Sequence, residues 1–145
     1  MAIRQVTPDE AQALLNEGYR YIDVRTEPEF ANGHPAGAVN IPVAVSDSRT
    51  GQMTINADFV AVVRAHFPHS TKLVLGCRSG PRSQRAAEML AQAGYETVVN
   101  MQGGFGGVHD AMGQTVVAGW SERGLPVCRD CGPENAYVTL QQAKK

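Results

Sequence analysis

Leu73-Val74-Leu75-Gly76-Cys77-Arg78-Ser79-Gly80-Pro81-Arg82-Ser83 reads as a buried strand, a tight loop and the start of a helix, in that order. Three contiguous apolar residues, Leu73, Val74 and Leu75, are the pattern of a strand covered on both faces in a parallel sheet. After the loop, Ala86, Ala87, Met89, Leu90 and Ala93 recur at helical spacing while Arg85, Glu88 and Gln92 stay polar, which predicts a helix over 83–93. In open α/β sheets ligands bind outside the carboxyl ends of the strands. Cys77 stands at such an end.

The same alternation extends in both directions. Residues 3–6 read as a short strand. Thr7-Pro8-Asp9-Glu10 then has the form of a capping box with proline at the first helical position, and Gly18 sits where a left-handed cap would close the helix. A strand over 19–24 ends at Asp23-Val24-Arg25, a Gly- and Pro-bearing stretch over 27–37 reads as a short helix, and Ala38 to Ile41 gives a third strand closed by Pro42. Residues 46–54 are polar and read as a surface loop. Asn56 is a plausible N-cap for a helix that carries Phe59, Val62, Val63 and Phe67 on one face and stops at Pro68. Residues 97–101 give a fifth strand. Strands alternating with helices imply an α/β fold, an open sheet of about five mostly parallel strands flanked by helices.

Composition bounds the function classes. With 43% apolar and 19% charged residues the chain has the balance of a soluble globular domain. A formal net charge of -1 favours neither nucleic acid nor membrane as partner. No apolar run approaches the ~20 residues that span a bilayer, and the start has no signal-peptide core. Three cysteines, with none placed as a disulfide framework, fit a reducing compartment, so the expected location is cytoplasmic. A leader removed earlier would leave no trace in this sequence.

Local charge carries the chemistry. Arg78, Arg82 and Arg85 follow Cys77 with no acid among them, a favourable field for a small anion. The helix start that follows adds unpaired N–H groups and a dipole that favour a thiolate, the nucleophilic form of cysteine. The backbone N–H groups of Arg78, Ser79, Gly80, Arg82 and Ser83 could converge on one point above the sulfur, whereas Pro81 has none to give. A merely buried apolar thiol would leave the surrounding glycine, serines and arginines without a purpose. Asp23 and Arg25 lie at another strand end. They read either as catalytic partners or as an ion pair tying the strand to a loop.

With these residues laid out, the chain resembles the rhodanese family over about residues 3–127. The likeness rests on Asp23-Val24-Arg25, on Glu29-Phe30-Ala31-Asn32-Gly33-His34-Pro35-Ala36-Gly37-Ala38-Val39-Asn40-Ile41-Pro42, and on Cys77-Arg78-Ser79-Gly80-Pro81-Arg82-Ser83. Asn100-Met101-Gln102-Gly103-Gly104-Phe105, Trp120 and Gly124-Leu125-Pro126-Val127 resemble the family's closing segments. The resemblance implies a thiosulfate sulfurtransferase working by a ping-pong reaction through a persulfide on Cys77, with no metal and no organic cofactor. Its implied partners are a small anionic sulfur donor, a thiol or cyanide acceptor, and a candidate sulfur-relay protein. Arg78 and Arg82 would bind the donor while the N–H groups of Ser79, Gly80 and Ser83 would stabilise the persulfide. His34 falls in the family's structural loop and is read as loop packing. The run Gly103-Gly104-Phe105-Gly106-Gly107 looks like a phosphate loop but lacks the Lys and Ser/Thr of one.

Two rivals remain. Cysteine phosphatases hold a phosphoryl group over a similar thiolate, but they place arginine where this chain has Ser83, with Arg82 one residue earlier. A non-catalytic rhodanese-like binding or regulatory module would commonly lack Cys77 or the polar loop residues. The loop Cys77-Arg78-Ser79-Gly80 favours thiosulfate over 3-mercaptopyruvate as donor, because mercaptopyruvate enzymes resemble Cys-Gly-Ser-Gly. Residues 128–145 form a C-terminal tail after a domain of residues 1–127. There Cys128-Arg129-Asp130-Cys131 reads as a redox pair, half of a zinc site or two plain thiols, the third or the first being preferred because zinc wants four ligands. A short helix over 137–143 or a mobile terminus would follow.

Overall fold

The computed structural model describes residues 3–46, 49–129 and 135–144. The chain runs β1 (Arg4–Val6), α1 (Pro8–Asn16), β2 (Arg20–Asp23), α2 (Glu27–Ala31), β3 (His34–Pro35), β4 (Val39–Asn40), β5 (Ala44–Ser46) and β6 (Met53–Ile55). It continues through α3 (Phe59–His66), β7 (Leu73–Gly76), α4 (Pro81–Gln92), β8 (Val98–Met101), β9 (Val108–His109), β10 (Thr115–Val117), β11 (Val127–Cys128) and α5 (Tyr137–Leu140). Five strands form one parallel sheet in the order β1-β8-β7-β2-β4. The expected α/β architecture with a helix-flanked parallel sheet is therefore the fold.

Local chemistry sets the elements. The Thr7 side chain accepts from the Glu10 N–H while the Glu10 carboxylate accepts from the Thr7 N–H, closing the capping box at the start of α1. Alternate residues of the sheet then serve opposite layers. Ile22, Leu73, Leu75 and Val98 pack with Phe59, Val62 and Val63 of α3 and with Ala86, Ala87 and Leu90 of α4. Tyr21, Val74, Val99 and Met101 face Ala11 and Leu14 of α1, Phe30 of α2 and Trp120. Leu73, Leu75 and Leu90 are fully buried, and burial of each such side chain contributes about 1.5 to 3 kcal/mol. None of the described helices is long and apolar enough to cross a membrane.

Three expectations change. The polar stretch 46–54 is bracketed by an antiparallel pair, β5 with β6. Its Val45, Met53 and Ile55 are exposed and only Ala44 among its apolar residues is buried, so the pairing leaves no alternating hydrophobic pattern to reveal. Asn56 does not cap α3, whose N-cap is Asp58. Its Oδ1 accepts from the Asp58 N–H, and its Nδ2 donates to the carbonyl of Pro42 and to the Tyr137 hydroxyl. Helix α4 begins at Pro81, two residues early, because proline suits the first helical position and Gly80 before it takes φ of 129°. In the tail, α5 buries Tyr137 and Leu140 in the α3–α4 core, and the Leu140 carbonyl lies 2.8 Å from His66 Nε2.

Candidate active site

Strand order reverses direction between β2 and β7: from β2 the chain steps outward to β4, and from β7 it steps the other way to β8. The carboxyl ends of these two strands meet in register, Asp23 opposite Gly76. Cys77 follows immediately, 1% exposed. Such a switch point is where an α/β sheet opens a crevice.

The loop folds around the sulfur. The Gly80 N–H donates to Cys77 Sγ at 3.0 Å, and Ser83 Oγ, in the first turn of α4, lies 3.4 Å from it. Helix α4 therefore aims its positive end at Cys77. Among the described residues, no hydrogen bond is made by the backbone N–H of Arg78, Ser79, Arg82 or Ser83. Ser83 Oγ also lies 3.0 Å from the Gly80 carbonyl and 2.5 Å from Asn100 Oδ1. Since the Asn100 Nδ2 donates to Gln5 Oε1, Asn100 presents its acceptor to Ser83.

The arginines differ from one another. Arg78 and Arg85 are exposed. Arg82 is half-buried and donates through Nη1 and Nη2 to the two carboxylate oxygens of Glu29, at 2.7 and 3.0 Å. Those bonds raise the proton affinity of Arg82 against its burial, and the charges of Glu29, Cys77 and Asp23 add to the effect. Burial pushes the Glu29 carboxyl up, but the Arg82 contacts and the Thr26 N–H and hydroxyl outweigh it and hold it at about 2. Glu29 thus caps α2 and fastens the active loop at once.

Asp23 and Arg25 come together with each other rather than on the sulfur. The Arg25 side chain donates to both Asp23 oxygens, to Oδ2 at 2.7 Å, and to the Gly33 carbonyl. Burial opposes the Arg25 charge and Asp23 restores it, leaving the guanidinium more firmly protonated than usual. Its plane also lies 4.5 Å over the Phe105 ring. His34 is buried and stacked on Phe30, its Nδ1 2.8 Å from the Phe30 carbonyl, as loop packing requires. Cys128 lies opposite His34 in the β3–β11 pair and is disulfide-bonded; Cys131 is outside the described residues.

Sequence reasoning missed Glu29 and Asn100 as parts of this site. Both left a signal. Glu29 stands three residues after Thr26 in capping-box spacing, and Asn100 is a lone polar residue within Val98-Val99-Asn100-Met101.

A family model described as a rhodanese-like domain matches residues 7–111. The chain is 38% identical over 116 residues to thiosulfate sulfurtransferase 16, chloroplastic, of Arabidopsis thaliana, covering 80% of this chain and 85% of that one. It is 29% identical over 107 residues to thiosulfate sulfurtransferase GlpE of Haemophilus influenzae, covering 74% and 89%. Two further plant relatives are longer, and the chain spans 57% and 56% of their length. Among solved structures, that of Rv0390 from M. tuberculosis superposes with a TM-score of 0.73 at 31% identity, over 89% of this chain and 99% of that one. A cysteine loop at the switch point of a five-stranded parallel sheet, and a family match across most of that sheet, lead to one assignment: the chain belongs to the rhodanese-like domain family.

Proposed function

We propose that this protein is a sulfurtransferase that moves sulfane sulfur from thiosulfate, or a related anionic donor, to cyanide or a thiol through a persulfide on Cys77. The observation that carries the reading is the Gly80 N–H on Cys77 Sγ at 3.0 Å, in a loop whose neighbouring N–H groups have no other acceptor among the described residues. Donors held in place before reaction stabilise negative charge without reorganising when it moves.

The Cys77 thiolate attacks the outer sulfur of thiosulfate. A Cys77–sulfur bond forms, the sulfur–sulfonate bond breaks, and its electron pair leaves on sulfite. In the second half, cyanide or a thiolate attacks the outer sulfur of the persulfide. The new bond gives thiocyanate or an acceptor persulfide, and Cys77 departs as thiolate. Exposed Arg78 receives the sulfonate end of the donor. Arg82, fastened to Glu29, keeps a fixed positive charge behind the loop rather than a free fork. The relatives named thiosulfate sulfurtransferase support the same reading.

Mass spectrometry after thiosulfate treatment tests it, with one sulfur added to the wild type and none to Cys77→Ser. Turnover in that variant, or added sulfur mapping to Cys128 or Cys131, refutes the assignment. Comparing thiosulfate with 3-mercaptopyruvate in the same assay decides the donor, with thiosulfate expected to turn over faster.

A further inference from the structure

The glycine run at residues 103–107 binds no phosphate in this reading, yet it lies directly against the active loop. The Phe105 N–H donates to the Cys77 carbonyl at 2.7 Å, and the Gly106 N–H donates to the Arg78 carbonyl at 2.8 Å. Two successive carbonyls of the loop are thereby turned toward the run. A trans peptide holds its C=O and N–H on opposite sides of one plane, and no described peptide bond is cis. Fixing the Cys77 carbonyl therefore fixes the Arg78 N–H away from the run, and fixing the Arg78 carbonyl does the same for the Ser79 N–H. The next N–H, that of Gly80, is the one seen on Cys77 Sγ.

We infer that Phe105 and Gly106 act through their backbone as a clamp that holds the two peptides after Cys77 and so delivers the Gly80 N–H to the sulfur, with Gly104 as the positioning residue that lets the clamp close. A methyl group on Gly104 would fall onto the Cys77 carbonyl oxygen and within 2.6 Å of the Arg78 carbonyl carbon. Both are backbone atoms with nowhere to go, and the left-handed φ of 56° adds a further penalty for a side chain. On Gly106 the added methyl would meet the flexible Arg78 Cγ at 3.2 Å, a contact the side chain relieves by turning. The clamp is also braced from behind, because the Phe105 ring lies under the Arg25 guanidinium that Asp23 holds. The paired Asp23 and Arg25 thus support the loop at one remove from the sulfur.

The inference rests on Cys77 as the working thiolate, and its test reads that thiolate without requiring sulfur transfer. Displacing the Cys77–Arg78 peptide pulls the Gly80 N–H off the sulfur, so Gly104→Ala should slow iodoacetamide alkylation of Cys77 at pH 7 by about ten- to a hundredfold. Gly106→Ala should slow it less, and far-ultraviolet circular dichroism should show both folded. A folded Gly104→Ala protein alkylated at the wild-type rate overturns the clamp. Should Gly104→Ala fail to fold, NMR on two folded proteins decides. Replacing the sulfur by Cys77→Ala should move the Gly80 amide proton upfield, with those of Phe105 and Gly106 slow to exchange in the wild type. An unmoved Gly80 amide, or fast exchange at Phe105 and Gly106, overturns the inference. A protein that passes either test yet never gains sulfur from any donor would refute the proposed activity and leave the clamp standing.

Discussion

Glu29→Gln removes one charge and little else. The glutamine carbonyl can still accept from the Thr26 N–H and hydroxyl, as Glu29 Oε1 does at 3.0 Å, so the helix start is preserved. What is lost is the second carboxylate oxygen opposite Arg82 Nη2, now replaced by an amide that donates toward a donor. In the folded chain Glu29 titrates at about 2 rather than 4.5. That interval is worth at most about 3.4 kcal/mol at about 1.36 kcal/mol per pKa unit. The Glu29 side chain is 30% exposed, and solvent screening brings the expected loss to about 2 kcal/mol near neutral pH. For a chain of this size that lowers the melting temperature by about 6 °C. A carboxyl whose folded pKa is depressed contributes its stability above the unfolded value and loses it as pH falls toward the folded one. The gap between wild type and Glu29→Gln should therefore be full above pH 4.5 and close as pH falls toward about 2. Urea unfolding of both proteins at pH 7, 4 and 3 measures it. A gap below about 0.5 kcal/mol at pH 7, or one that does not narrow in acid, refutes the argument.

Replacing Arg82 by alanine should lower kcat/KM for thiosulfate by about ten- to a hundredfold, and lysine should restore part of it. A lysine keeps the charge but cannot reproduce the two-pronged contact with Glu29. Equal kinetics in wild type and Arg82→Ala would remove the arginine from both binding and loop support. Asn56→Ala should destabilise the fold by about 2 kcal/mol, since it strands the Pro42 carbonyl and the Tyr137 hydroxyl; chymotryptic cleavage after Tyr137 and Leu140 should then come sooner, and an unchanged digestion pattern would speak against that link. In the double variant Cys128→Ser/Cys131→Ser, cyanide should still accept sulfur while turnover with a thiol acceptor changes. Complete loss with cyanide would make the pair essential, contrary to expectation.

The sheet was legible because its strands are buried on both faces, so Leu73, Val74 and Leu75 had to be apolar together, and because Thr7 and Glu10 announce a helix by themselves. Cys77 stood out as a candidate because polar and basic residues crowd a strand end where packing alone has no use for them. What could not be read were partnerships across the chain. Arg82 looks like an anion-binding arginine until Glu29, distant in sequence, is seen against it. The run around Gly104 looks like a ligand loop because closeness to backbone and closeness to phosphate both demand residues without side chains. The β5–β6 pair escaped notice because its large apolar residues, Val45, Met53 and Ile55, face solvent.

The unequal exposure of the loop arginines divides the proposed reaction kinetically. Arg78 and Arg85 stand in solvent, where their attraction for an anion fades beyond about 8 Å at physiological ionic strength. Added salt should therefore slow the capture of a charged donor. The sulfur itself is enclosed, with the Gly80 N–H on it where mobile ions do not reach. On the proposed function, ionic strength acts on arrival at the site and leaves the bond exchange inside it untouched, so turnover should be salt-sensitive at low donor concentration and salt-indifferent once the donor saturates the protein.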